Sequence, residues 1–393
     1  MNLLFIQGGS RWKKDRNGNF YTDANFTEEI WNRYRKYCEH LTVILRMEKK
    51  EYSVEEAENR FNYFDSNNST AIALIDLYRP VINSFNIKLR NEVKRRIKEE
   101  VIKADKIIIR SVGNIYTDAA LKWARYYEKP YLVEETGFSF ESLWYHSFKG
   151  KLIALANEIK VKRLMRKVPY AIYVTNEALQ RRYPCGGESI GCSDVELQID
   201  ESVLHKRIKK IETGTNKIII GTAAFLDVGW KGQKYVIRAL AELRKKNIAS
   251  FEYQLIGVGN GRLLKEEAKR WGIEANIKIL GSLPHEKVFE WMDSLDLYIQ
   301  PSFMEGLCRA IIEAMSRACP VICSDVGGNY ELIDKKNLFK KGNPHDIAIK
   351  LEQFVSKEYR IECANRNFKK AREYEKKLLD DKRELFLRTF LEK

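Results

Sequence analysis

A chain of 393 residues is about two to three times the size of a common single domain, so a lone small module is excluded and two domains are expected. With 44% hydrophobic and 31% charged residues, 22 glycines and 8 prolines, the composition suits a packed globular protein and excludes disordered, collagenous and low-complexity classes. The 69 Lys and Arg outnumber the 54 Asp and Glu by a net +15, which points to an anionic partner: nucleic acid, an acidic membrane surface or a phosphorylated small substrate.

In chain order, Asn2 to Ile6 reads as a short buried strand running into the turn Gln7-Gly8-Gly9-Ser10, the kind of loop found at the carboxyl end of strands in α/β sheets. The apolar run Leu3 to Ile6 is too short for a secretory signal core, and no run approaches the ~18 residues that cross a bilayer, so a cytoplasmic location is expected. Helical periodicity follows around Thr27 to His40, then strands at Leu41 to Leu45, Lys106 to Ile109 and Pro130 to Val133. Basic residues gather at Lys88 to Lys98 and again at Lys149 to Lys167. Over 151–168 a helical wheel puts Val161, Leu164, Met165 and Val168 on one side and Lys160, Lys162, Arg163, Arg166 and Lys167 on the other. Such a basic amphipathic helix either packs on the core with solvated lysines outside or rests on a membrane surface. Residues 206–217 are polar, charged and glycine-containing, the profile of a linker, which places one domain at 1–205 and a second at 218–375.

The second half repeats the alternation, with strands at Ile218 to Gly221, Tyr253 to Ile256, Ile277 to Leu280, Leu297 to Ile299 and Pro320 to Ile322, and helices near Gln233 to Lys246 and Leu263 to Trp271. Beyond Pro344 the pattern is helical and charged, ending in a helix at 376–393 that would return to the first domain. The fold class expected is therefore α/β: two doubly wound sheets facing across a cleft lined by strand carboxyl ends. Seven scattered cysteines (Cys38, Cys185, Cys192, Cys308, Cys319, Cys323, Cys363) without C-x-x-C spacing argue against a disulfide framework or a zinc site.

The most informative stretch is Pro301-Ser302-Phe303-Met304-Glu305-Gly306-Leu307-Cys308-Arg309-Ala310-Ile311-Ile312-Glu313. A strand ends, a glycine loop follows and a helix begins, so backbone N–H groups and the positive end of a helix dipole point at the cleft, a setting for phosphate oxygens. Glu305 and Glu313, eight residues apart, would stand roughly 12 Å apart if both were helical, about the reach of a nucleotide-sugar. Taken singly, Glu305 reads first as an acidic residue stabilising a helix amino terminus and Glu313 as a solvated helix position. Gly257-Val258-Gly259-Asn260-Gly261 lacks the third glycine of a dinucleotide fingerprint, which is replaced by Arg262, and reads instead as a strand-end turn near the nucleotide.

This stretch, with Ser324-Asp325-Val326-Gly327-Gly328-Asn329 and Trp230-Lys231-Gly232, resembles the signature of family 4 retaining glycosyltransferases of the GT-B fold, over about residues 218–345. The resemblance implies an acceptor-binding first domain, a nucleotide-sugar-binding second domain and hexose transfer, with a uridine diphosphate sugar as donor. It implies that Glu305 contacts the donor sugar, Glu313 the ribose, and Gly306 and Leu307 the phosphates through their N–H groups, with Lys231 on the diphosphate. Gly257, Gly259 and Leu283 would lie near the nucleotide. The arginine that the family carries a few residues before this lysine is missing from Ala224-Phe225-Leu226-Asp227, which leaves Arg309 or Arg11 to contact phosphate. Gly8 and Gly9 would approach the diphosphate or acceptor, and where many members have a histidine this chain reads Glu134-Glu135-Thr136, so Glu135 and Thr136 become the acceptor-side candidates. No Asp-x-Asp pair occurs, so neither a metal nor a separate cofactor is expected. The acceptor expected is a saccharide or a polyprenyl-diphosphate-linked sugar of bacterial capsule or O-antigen assembly, at an anionic membrane surface and without nucleic acid. Competing readings are a basic nucleic-acid or membrane-surface binding protein without catalysis, a phosphorylase, and a nucleotide-sugar epimerase.

Overall fold

The computed structural model describes residues 1–23, 26–214 and 217–392. Its first half is built on a nine-stranded sheet of β1 (Asn2–Asp15), β2 (Phe20–Thr22), β3 (His40–Tyr52), β4 (Asn62–Tyr63), β5 (Ser69–Leu74), β6 (Lys106–Arg110), β7 (Tyr131–Glu135), β8 (Tyr170–Tyr173) and β9 (Glu188–Gly191). The parallel order is β5-β3-β1-β6-β7-β8-β9, the short β2 adds antiparallel to the far end of β1, and β4 pairs antiparallel with β2. The second half carries a six-stranded parallel sheet in the order β12-β11-β10-β13-β14-β15, from β10 (Lys217–Ala223), β11 (Ser250–Ile256), β12 (Ile277–Gly281), β13 (Leu297–Gln300), β14 (Val321–Ser324) and β15 (Leu338–Phe339).

The central strands of both sheets are covered on both faces, which is why they read as continuous apolar runs rather than alternating ones. Leu3 and Phe5 point into one core while Leu4 and Ile6 point into another, and Ile108 is likewise separated from Ile107 and Ile109. Successive side chains of one strand thus feed opposite cores.

Two expectations are corrected. The first strand does not stop at Ile6: β1 pairs with β6 only as far as Gln7, shifts register beside β3 between Ile6 and Arg11, and continues to Asp15. Gly8 and Gly9 therefore sit in an irregularity inside a long strand, not in a turn. Of residues 206–217, expected to be a linker, 206–213 are helical and 215–216 lie outside the described residues: helix Ser202–Thr213 buries Val203, Arg207 and Ile211. The Arg207 guanidinium donates to the carbonyls of Met292, Leu295 and Arg317, so a charged side chain fills the role an apolar one would take.

Helix Lys376–Glu392 lies against the first sheet. Phe386 and Phe390 pack on Tyr170, and Lys106 donates to the Phe390 carbonyl. Arg383 reaches Asp194, which also binds Arg110 and lies near Arg33. Burial opposes ionisation of Asp194, but these three arginines outweigh it and hold the carboxyl well below the usual range. All seven cysteines are free thiols. Among the described residues no helix is long and apolar enough to cross a membrane.

Candidate active site

The carboxyl ends of the two sheets meet at a seam, and the P-S-F-M-E-G stretch occupies its centre. After β13 the chain turns out at Pro301 and enters helix Arg309–Ser316 only eight residues later. Glu305 is therefore on the loop, and the helical rise assumed between Glu305 and Glu313 does not apply to its first four residues. Glu313 lies one turn into the helix. Both carboxylates still act on common neighbours, since the fields of Glu305 and Glu313 add to burial in raising the Cys308 thiol and the Tyr298 hydroxyl.

Lys231 meets Glu305 directly. The ammonium lies 2.7 Å from Glu305 Oε1, with both side chains mostly shielded from water. Burial pulls the lysine down, yet the adjacent carboxylate more than offsets this, so Lys231 is held above its ordinary value and stays charged. Gln300 Nε2 donates to the same Glu305 oxygen at 3.2 Å and to Ser302 Oγ at 2.9 Å, and the Tyr298 hydroxyl donates to Gln300 Oε1 at 2.8 Å. A chain of buried polar groups rising from β13 thus fixes the Glu305 carboxylate. Trp230 supports it from the lysine side, its carbonyl accepting from Phe303 N at 2.8 Å.

Gly306 and Leu307 continue the loop. A Cβ on Gly306 would strike the carbonyl oxygen of Thr136 from the opposite domain, and Gly328 N donates to the Gly306 carbonyl at 2.8 Å. Gly327 adopts φ +54° and passes so close to the Glu305 carbonyl that a side chain there has no room. The glycines of this motif serve close backbone approach across the seam. Arg309 is exposed at the first position of its helix.

Other sequence candidates fall differently. In the Gly257 to Gly261 turn, Asn260 N and Gly261 N donate to the Asp227 carboxylate at 2.9 and 3.0 Å, so two of its amides are already engaged. Gly257 (φ +140°) packs on the Ala224 carbonyl and Gly259 (φ +128°) on Asp227. Leu283 is half-buried on the loop after β12. Gly8 lies where a Cβ would collide with Asn114, whose side chain accepts from Tyr116 N and Thr117 N at the start of helix Ile115–Tyr126. The Gly9 carbonyl accepts from Arg46, and Arg11 pairs with Glu48 at 3.4 Å.

At the end of β7 the two adjacent glutamates part, as alternation requires. Glu134 is consumed by structure, bound to Arg110 at 2.6 Å and to the Tyr34 hydroxyl at 2.8 Å. Glu135 is 3% exposed and accepts from Val112 N at 3.3 Å and Thr136 N at 3.2 Å. Burial dominates there and pushes it up to about 7. The Thr136 hydroxyl pairs with Ser111 at 2.8 Å.

His146, which the sequence offers as a spare candidate, reaches this seam together with two groups that were not foreseen, Tyr145 and Glu331. Helix Ser139–His146 bridges it, with Tyr145 edge-on to Phe303 at 5.6 Å and the His146 ring stacked on Trp230 at 6.2 Å. Glu331 crosses in the other direction, accepting from Asn176 N, Glu177 N and Ala178 N. A cavity of about 400 Å³ beside Glu305 is lined from both halves, by Phe138 and Arg181 on one side and Phe303 and Tyr330 on the other. No group of three or more His, Cys, Asp or Glu placed to hold a metal ion occurs among the described residues.

The family described as Glycosyl transferases group 1 matches residues 205–374. Protein CapJ of Staphylococcus aureus is 31% identical over 399 residues, covering 99% of this chain and 96% of that protein. The amylovoran biosynthesis glycosyltransferase AmsK of Erwinia amylovora is 32% identical over 111 residues, 26% of this chain and 27% of its own length. Among solved structures, Anabaena HepE in complex with UDP and glucose superposes with a TM-score of 0.64 at 16% identity, covering 99% of this chain and all of that one. The lipopolysaccharide glycosyltransferase WaaG gives 0.59 at 14% identity, over 97% of this chain and 98% of its own.

Proposed function

Because the chain belongs to the group 1 glycosyltransferases and has the GT-B fold, we propose that it moves a hexose from a UDP-sugar to a saccharide or lipid-linked acceptor in bacterial surface polysaccharide synthesis, with retention of anomeric configuration. One observation carries this reading: a buried, charged Lys231 paired with Glu305 at the point where the two domains meet. Paired in this way, each neutralises the other. A donor diphosphate competes for the ammonium, and the carboxylate it releases is then free to accept hydrogen bonds from the sugar.

The chemistry follows from that exchange. As the bond between the anomeric carbon and the β-phosphate oxygen breaks, negative charge grows on the diphosphate, and Lys231, fixed in a dry setting, stabilises it more than it stabilises the bound donor. The acceptor oxygen attacks the same face and passes its proton to the departing phosphate oxygen. The protein contributes orientation and electrostatics and forms no covalent intermediate. Lys231 supplies the charge that a divalent cation supplies in other transferases, so turnover is metal-independent. Glu313, in the helix beyond, would take the ribose hydroxyls, and the Gly306–Leu307 backbone the phosphates. The UDP bound by HepE and the polysaccharide role named for AmsK support the donor and pathway assignments.

Incubating the protein with UDP-hexoses in EDTA, and following the anomeric proton of the product by NMR, tests this reading. The expected result is transfer or slow hydrolysis with the donor's anomeric configuration kept. An inverted product, or turnover only with added divalent metal, contradicts it.

A further inference from the structure

Helix Phe148–Met165 buries Gly150, Ala154, Glu158, Val161 and Met165 along one side. Phe148, Leu152, Leu155 and Ile159 recur at helical spacing on another side and face solvent. The apolar side read from the sequence packs on the core, with Val161, Met165 and Val168 buried, and a separate outward apolar stripe lies in the helix's first half. A second exposed apolar set comes from the 3-10 turn Val81–Phe85 and the residue that opens helix Ile87–Lys103. The two sets adjoin, because the Lys149 ammonium lies 6.0 Å from the Phe85 ring. Ile82, Phe85, Ile87, Phe148, Leu152 and Leu155 are between 64% and 77% exposed, a concentration that isolated surface hydrophobics do not explain.

Charge identifies the occupant. Lys149 and Lys151 flank the stripe, Arg163 and Arg166 continue its side of the helix, and Lys88 follows Ile87. Lys151 lies 5.5 Å from the ring of Trp144, an indole partly exposed at the edge of the patch. Protein interfaces are depleted of lysine, and a second copy would bring like charges together. An apolar centre rimmed by lysine, arginine and tryptophan suits the headgroup region of an anionic bilayer. We propose that this platform, formed by residues 81–87 and the first half of helix Phe148–Met165, docks the protein on an anionic membrane surface.

Its position gives the docking a consequence, which rests on the glycosyl-transfer reading above. Phe148 follows His146 by two residues, and the His146 ring stacks on Trp230, the neighbour of Lys231. The platform therefore ends at the mouth of the cleft, where a lipid-linked acceptor would rise from the bilayer beside the donor.

The test is co-sedimentation with phosphatidylcholine vesicles containing about one-third phosphatidylglycerol, with UDP-induced thermal stabilisation measured on the same samples. Wild type is expected to bind, with a residual affinity at high salt that charge alone would not leave. The double variant Ile82→Asp with Leu152→Asp should lose at least about ten-fold in partitioning, and Lys149→Glu about five-fold, with the UDP response unchanged. Wild type left in the supernatant, or a double variant that sediments as well as wild type, overturns the proposal. So does a wild-type dimer that the double variant dissociates, since that assigns the patch to a second copy. An intact UDP response with no vesicle binding removes the docking surface and leaves the transferase reading standing.

Discussion

Glu135 is the residue whose environment is most at odds with its charge. It sits beneath the seam without a cationic partner, and burial raises it to about 7 from an ordinary 4.5. The folded state thus binds its proton more tightly than the unfolded chain. Its contribution is fully favourable below the unfolded value, and stability falls as pH rises from about 4.5 through 7. Glu135→Gln imitates the protonated acid. The variant should match wild type near pH 4.5 and exceed it at pH 8 by up to roughly 3 kcal/mol, as read from denaturant midpoints at the two pH values. Equal differences at both would show that the carboxyl is already solvated or paired. Glu134 beside it was not separable by sequence, because its partners Arg110 and Tyr34 come from 24 and 100 residues away. The Glu305 motif was legible because strand end, glycine loop and helix start are all local.

Among elements, the loop from Pro301 to Cys308 couples the two domains through backbone proximity. Gly306→Ala places a methyl against the Thr136 carbonyl, a rigid atom of the other domain, so the seam must open to admit it. We expect at least a ten-fold fall in transfer rate and a loss of ~1–3 kcal/mol in stability. Gly229→Ala, beside Lys231, meets nothing within 4 Å and should behave as wild type. Stopped-assay kinetics and thermal unfolding of the two variants check the contrast, and equal behaviour would mean that the domains do not close on this loop. The two elements read wrongly from sequence have a common physical reason. β1 continues past Gly8 and Gly9 because β3 pairs with it again from Arg11 to Asp15, and helix Ser202–Thr213 is held by Arg207 binding carbonyls about 85 to 110 residues away. Composition ranks such segments as turn and linker, and tertiary pairing overrides it.

At the scale of the molecule, two doubly covered sheets could be read directly, since strands buried on both faces carry unbroken apolar runs. Which surface stays open could not. The platform at residues 81–87 and 148–159 is apolar by composition, like any core segment, and only the packing shows that it stays exposed among the described residues. The long return of the chain is similar: helix Lys376–Glu392 reaches the first sheet through Arg383 and two phenylalanines, tying the last residues of the chain to the first domain and so limiting how far the domains can swing apart. That architecture brings Lys231, Glu305 and Glu313 to one seam, and the proposed transfer requires them to act together on a nucleoside diphosphate. Calorimetric titration of UDP into wild type, Lys231→Ala and Glu313→Ala measures this most directly. The prediction is saturable binding to wild type that weakens at least ten-fold in each variant. Binding that is absent from wild type, or undiminished in both variants, would contradict it.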